Sequence, residues 1–138
     1  MKEEQLREAV GKLDLARAQL EGLVRQSEII RMSLEEHMRA KETISRYRDT
    51  QSGDSLLVPV GANCFVFANV ESKEEVICGL GSDVAMKDSV EGAISRLDKR
   101  IKMIVESEEE LGKKITELDS EVAKLSEDVQ KKYEEYQA

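Results

Sequence analysis

The N-terminal third of the chain carries apolar side chains at alternating steps of three and four residues. The series begins at Leu6 and continues to Ile44. Three polar residues interrupt it, at Ser27, His37 and Lys41. Such a 3.5-residue repeat is typical of a helix whose apolar edge packs against another helix. We therefore predict a coiled-coil helix over residues 1–49.

A second series of the same kind runs from Ile94 to Tyr136. Only two of its members are charged, Glu108 and Lys132. A helix over this span, about 43 residues at ~1.5 Å each, would be about 65 Å long. We predict a second coiled-coil helix over residues 89–138, and either Asp88 or Ser89 can act as its N-terminal cap.

Between the two series the apolar spacing changes to two, which indicates β-strands. We predict two hairpins in series, with strands over residues 55–60, 64–70, 75–80 and 83–87. In the second strand both alternating sets of side chains are apolar as far as Asn69. That strand should therefore be covered on both faces.

A β segment of this size cannot enclose a core of its own, because hairpins are marginally stable in water. Strands of other chains should therefore cover its apolar side chains, and a shared barrel would close the open strand edges. We expect an obligate oligomer in which this segment, residues 55–87, is the base. The residues predicted to form the oligomer contacts are Leu57, Val60, Phe65, Phe67, Val76, Ile77 and Val84.

Two helical series of similar length on either side of the hairpins should pair antiparallel. If Ile44 lies opposite Ile94, the position numbers of facing residues add to about 138, and both termini lie at the far tip. The predicted fold class is α+β, mainly α. It is a long antiparallel two-helix coiled coil joined by two β-hairpins, in one domain over residues 1–138.

The charge of the chain bears on its partners. Lys and Arg number 21 against 29 Asp and Glu, for a formal charge of -8. This balance argues against nucleic acid or an anionic membrane as a partner. The N-terminus resembles no signal peptide and no long apolar run follows, so we expect a cytoplasmic protein. Cys64 and Cys78 are expected to be buried free thiols in a reducing compartment.

Motifs of enzymes are not recognisable in the sequence. The glycines of residues 79–81 lack the third glycine of a dinucleotide-binding fingerprint, and residues 112–114 lack the flanking residues of a P-loop. His37 has no second histidine or cysteine ligand at helical spacing. The sequence thus predicts no enzyme, no cofactor and no metal site.

The hairpin segment resembles the prefoldin family, in its α-type subunits with two hairpins. The residues that carry the resemblance are Leu57-Val58-Pro59-Val60-Gly61, Phe65-Val66, Ala68, Val76, Gly79-Leu80-Gly81, Val84, Lys87-Asp88, Ala93 and Leu97. Asn63 stands where a second glycine is expected in the first turn, but asparagine also tolerates a positive φ. The specific part of the match covers residues 56–97.

The resemblance implies an ATP-independent holdase, a chaperone that holds unfolded proteins without folding them. It implies a hexamer with another α subunit and four β-type subunits, whose hairpins form a double barrel. Unfolded clients would be held near the coiled-coil tips and delivered to a group II chaperonin. The predicted client-binding residues at the tip are Leu6, Val10, Leu13, Leu125, Val129, Tyr133 and Tyr136.

Two alternatives to a hexameric chaperone remain open at the level of sequence. One is a prefoldin-like protein that forms filaments, because an open hairpin edge can propagate instead of closing. The other is a coiled-coil adaptor that binds one defined helix.

Overall fold

The computed structural model describes residues 1–138 and has the mainly helical α+β fold that the sequence predicts. Its elements, in chain order, are α1 (Lys2–Arg48), β1 (Ser55–Gly61), β2 (Cys64–Asn69), β3 (Glu75–Gly81), β4 (Val84–Ser89) and α2 (Val90–Gln137). The predicted boundaries agree with these to within two residues.

The chain forms two compact units, and the first comprises Met1–Ser33 and Ile104–Ala138. Its buried side chains all belong to the predicted apolar series: Ala9, Leu13, Ala16 and Leu111. The Lys2 ammonium donates to the carbonyl of Glu135 at 3.4 Å, and the Arg31 guanidinium lies 3.9 Å from the Glu108 carboxylate. These position numbers add to 137 and 139, so the helical segments are antiparallel in the expected register.

The second unit comprises Leu34–Met103 and contains both hairpins with the helical segments that flank them. The Lys41 ammonium pairs with the Asp98 carboxylate, and the Arg48 guanidinium lies 3.7 Å from the Glu91 carboxylate. Both pairs of position numbers add to 139, which confirms the register in this unit as well. Lys41, a polar interruption of the first series, is therefore the cationic member of an interhelical ion pair.

Ser89 is the N-terminal cap of α2. Its hydroxyl accepts a hydrogen bond from the backbone N–H of Gly92 at 2.9 Å, which satisfies one of the free N–H groups in the first turn. Asp88, the other predicted cap, has a different role. Its carboxylate accepts from the backbone of Ser89 and from the Arg96 guanidinium, both at 2.8 Å. Asp88 thereby ties the last residues of β4 to the second turn of α2.

The four strands form two separate two-stranded antiparallel sheets, β1 with β2 and β3 with β4. Each hairpin has a two-residue turn in which both residues have positive φ: Ala62 (50°) and Asn63 (59°), then Ser82 (51°) and Asp83 (61°). This is the geometry of a type I′ turn, which matches the twist of the strands. Asn63 tolerates it as expected. The prediction that the fourth strand begins at Asp83 was wrong, because the turn requires that residue.

The prediction that both cysteines are buried was also wrong for this chain. Cys64 is exposed and Cys78 is half-buried, and both are free thiols. Cys64 lies on the first hairpin, neither face of which the chain covers, and Cys78 lies on β3 of the second hairpin, which the chain covers on one face only. The apolar surroundings that the sequence predicts for these thiols are therefore only partly supplied by the chain.

Candidate functional site

The hairpins expose most of the apolar side chains predicted to form oligomer contacts. Six of these seven residues are exposed: Leu57, Val60, Phe65, Phe67, Ile77 and Val84. Phe67 is the most open of them, with 87% of its surface accessible, and Ile77 follows at 72%. Contiguous apolar surface of this kind typically marks a protein interaction site.

In the first hairpin the strand register places the apolar residues side by side. Leu57 pairs with Phe67, and Pro59 pairs with Phe65. Side chains of alternate residues share a face, so these four form a continuous apolar strip on one side of the hairpin. On the other side Val58 pairs with Val66, and both are exposed. Both faces of this hairpin therefore remain open in the chain, and the cover that the double apolar pattern of β2 predicts has to come from other chains.

The second hairpin has one face against the end of α1. Val76, the half-buried exception among the predicted contact residues, lines a cavity of about 510 Å³ together with Ile44 and Tyr47. The Tyr47 hydroxyl donates a hydrogen bond to the carbonyl of Ser72, in the link before β3. Ile77, the next residue along β3, faces the opposite side of the sheet from Val76. Because Ile77 is exposed, that side of the second hairpin is not covered by the chain.

Sequence reasoning missed four exposed residues of the hairpins that have large hydrophobic side chains. They are Val58, Val66, Leu80 and Met86. The signal for Val66 was present, because both alternating sets in β2 are apolar. Alternation of apolar and polar residues alone, however, predicts one buried and one exposed face for each strand. It does not show which apolar residues the rest of the chain leaves uncovered.

At the end of the first unit the predicted client-binding residues fall into two groups. Three are exposed: Val10, Tyr133 and Tyr136. Leu13 is buried between the helices, and three others are half-buried: Leu6, Leu125 and Val129. The closed end thus presents only the first group to solvent, and the second becomes accessible only if the helix ends separate.

Polar contacts hold the side chains around this end. The Gln137 amide donates to the Tyr133 hydroxyl at 2.8 Å, and the Lys132 ammonium donates to the Asp128 carboxylate at 2.8 Å. The hydrogen bond that Lys132 donates to Asp128 is the main reason that the pKa of Lys132 is raised above its ordinary value. Lys132 therefore occupies its half-buried position in the apolar series as a cation.

No group of three or more histidine, cysteine, aspartate or glutamate side chains is placed to hold a metal ion. No helix is both long and apolar enough to cross a membrane. The surfaces that stand out are instead apolar, on the hairpins and at the end of the first unit.

Comparison with known proteins agrees with this architecture. Residues 16–135 match the model of the family Prefoldin, described as prefoldin subunit. The chain belongs to the prefoldin family. Its curated relatives include prefoldin subunit alpha of Methanopyrus kandleri, 36% identical over 70 residues, which are 51% of this chain and 45% of the relative. Prefoldin subunit alpha of Methanothrix thermoacetophila is 28% identical over 109 residues, covering 79% of this chain and 71% of the relative.

A solved structure of a prefoldin shares the fold. The filamentous prefoldin of Methanocaldococcus jannaschii superimposes with a TM-score of 0.72 at 24% identity, covering 88% of this chain and 98% of that chain. The family assignment makes this chain a chaperone-type subunit of the α class, and the prefoldin family is not an enzyme family.

Proposed function

We propose that this chain is a subunit of an ATP-independent holdase that captures non-native proteins and delivers them to a group II chaperonin. The observation that carries the proposal is the pair of hairpins whose apolar faces the chain leaves uncovered. Membership of the prefoldin family supports it. The chain contributes surfaces for assembly and capture, and neither role requires a catalytic group.

Assembly through the hairpins is the first part of the proposal. Phe65 and Phe67 lie on one face of a two-stranded sheet whose outer edges are unpaired. Closing such edges against strands of β-type subunits and of a second α subunit removes them from solvent and buries the apolar strip. The assembly proposed is a closed hexamer of two α and four β subunits.

Capture of clients at the end of the first unit is the second part. Val10, Tyr133 and Tyr136 are open there, and Tyr side chains offer a large apolar body with a polar tip. Separation of the helix ends would add Leu13 and its half-buried neighbours, because terminal turns have the lowest local stability. The capture surface would thus grow when a non-native chain competes for the apolar series.

The test mixes the chain with a β-type prefoldin subunit and follows light scattering of a chemically denatured client without nucleotide. We expect suppression of aggregation by the mixture. Removal of about ten residues from each terminus should weaken capture and leave the hexamer intact, because the hairpins are untouched.

A milder variant, Tyr133→Ser with Tyr136→Ser, should weaken capture in the same direction. Met38→Ser is the matched control, because Met38 is also exposed but belongs to the other unit. Loss of the hexamer on trimming, or equal loss of capture in the control, would contradict the division of labour between hairpins and tip.

A filament is the second candidate for the assembly. The solved prefoldin of Methanocaldococcus jannaschii is described as filamentous, and open hairpin edges can join head to tail. Electron microscopy of the chain without a β-type subunit distinguishes the two. Long filaments favour this candidate, and a closed particle that forms only with the β-type subunit favours the hexamer.

A further inference from the structure

A second row of side chains, apolar or small except for Arg25, runs along α1 outside the series that faces α2. Its members recur at steps of four and three: Gly11, Leu15, Ala18, Gly22, Arg25, Ile29 and Met32. Its three large apolar side chains are among the most exposed of the helices, with accessible fractions of 62% for Leu15, 67% for Ile29 and 68% for Met32. All these residues lie in the first unit.

The row is not a general property of the outward helix faces. On α2, the residues that stand in the same place relative to its own apolar series are charged or polar. In this unit they are Glu106, Glu110, Lys113, Glu117, Ser120 and Lys124. That is the composition expected of a helix face in contact with water. The row on α1 therefore has the periodicity of a helix-packing seam but no helix packed on it within this chain.

The two edges of the row differ in charge. One edge carries Asp14, Glu21 and Glu28 at steps of seven, all exposed and none in an ion pair. The opposite edge carries Lys12, Gln19 and Gln26 at the equivalent positions, and none of these is acidic. A partner that lies along the row therefore meets acidic side chains along one edge and none along the other.

A second copy of the chain does not satisfy this pattern. Antiparallel pairing of two copies along the row would bring the acidic edges of both against each other. Parallel pairing would place Arg25 opposite Arg25 within the seam. Like charges in these positions disfavour pairing of two copies of the chain along the row.

From the row and its edges we infer that α1 docks an amphipathic helix of another protein. That helix has an apolar face, lysine or arginine along one edge and an acidic residue opposite Arg25. The apolar face of that helix covers Leu15, Ile29 and Met32. Its basic edge lies against the acidic edge of the row. The row shares no residue with the hairpins or with the predicted tip residues, so docking here does not depend on the function proposed above.

The test uses the full chain and two labelled synthetic helical peptides. Both peptides carry leucines at the 3.5-residue spacing with one glutamate in the apolar face. One has lysines along an edge, and the other has glutamates at the same positions. By fluorescence anisotropy we expect the lysine-edged peptide to bind about tenfold more tightly, and increasingly so at low salt.

Two variants and a control localise the binding. Ile29→Gln with Met32→Gln should weaken binding of the lysine-edged peptide about tenfold or more. Glu21→Gln with Glu28→Gln should remove most of the preference between the peptides. Met103→Gln, which alters an exposed methionine on α2 outside the first unit, should change neither.

Equal binding of both peptides, or unchanged binding by the Ile29→Gln and Met32→Gln variant, would overturn the inference. Self-association of the chain that this variant abolishes, measured by sedimentation, would overturn it in favour of a second copy. Circular dichroism checks that each variant folds. If the apolar variant loses its helix, the glutamine variant of the acidic edge still decides the matter, because a preserved preference for lysine in that variant refutes the inference.

Discussion

Phe67 is the residue at which assembly and folding of the chain are most clearly separable. In the chain by itself 87% of its surface is accessible, so it contributes little to the stability of the hairpin. Complete burial of a phenylalanine side chain is worth about 1.5–3 kcal/mol. If neighbouring subunits cover Phe67, Phe67→Ala should weaken the contact by about 2 kcal/mol, about 30-fold in its dissociation constant. Phe67→Asp should be worse by several kcal/mol, because it buries an unpaired charge.

The matched control is Val70→Ala. Val70 follows β2, is only 3% exposed and exchanges backbone hydrogen bonds with residues 53 and 54. Loss of its methyl groups should lower the free energy of unfolding of the chain by about 1.5 kcal/mol. The two substitutions should therefore act on different quantities, although their positions are three residues apart.

Sedimentation velocity with a β-type subunit measures assembly, and circular dichroism during heating measures folding of the chain. We expect Phe67→Ala to weaken assembly with the β-type subunit. Its free energy of unfolding should stay within about 0.5 kcal/mol of that of the parent chain. The reasoning is refuted if Phe67→Ala assembles as the parent does. It is also refuted if that variant melts like Val70→Ala, because Phe67 would then belong to the core of the chain.

Two further predictions concern local stability, measured by thermal unfolding. Ser89→Ala removes the acceptor for the Gly92 N–H and should lower stability by about 1 kcal/mol, whereas Ser95→Ala within α2 should have little effect; equal effects would contradict the capping role. Gly61→Ala should destabilise by about 1–2 kcal/mol because φ is 104° there, whereas Gly11→Ala in α1 should stabilise by about 1 kcal/mol. A stabilising Gly61→Ala would show that the first turn has another geometry.

The helices and their register were predictable because the 3.5-residue repeat itself determines which side chains face the partner helix. Every member of the first series is buried or half-buried, including the polar residues Ser27, His37 and Lys41. The sequence pattern was less informative about where α2 and β4 begin. The cap was ambiguous between adjacent residues, and the turn at Asp83 depends on backbone dihedrals that hydrophobic patterning does not report.

The candidate surfaces were only partly predictable, because a pattern shows that a face is apolar and not whether anything covers it. The hairpin residues were predicted from the small size of the β segment. The same argument did not extend to Cys64, whose exposure follows from the missing cover. The outward row with Ile29 was not predicted, because the repeat that faces α2 identifies the packed residues of α1 and leaves the other apolar residues of the helix unassigned.

The central claim is that other subunits must complete the hairpins of this chain. Native mass spectrometry of the chain with and without a β-type prefoldin subunit tests it most directly. We expect a closed particle with two copies of this chain and four of the β-type subunit. The claim would be contradicted if the chain is a monomer at micromolar concentration, unfolds cooperatively and does not bind the β-type subunit.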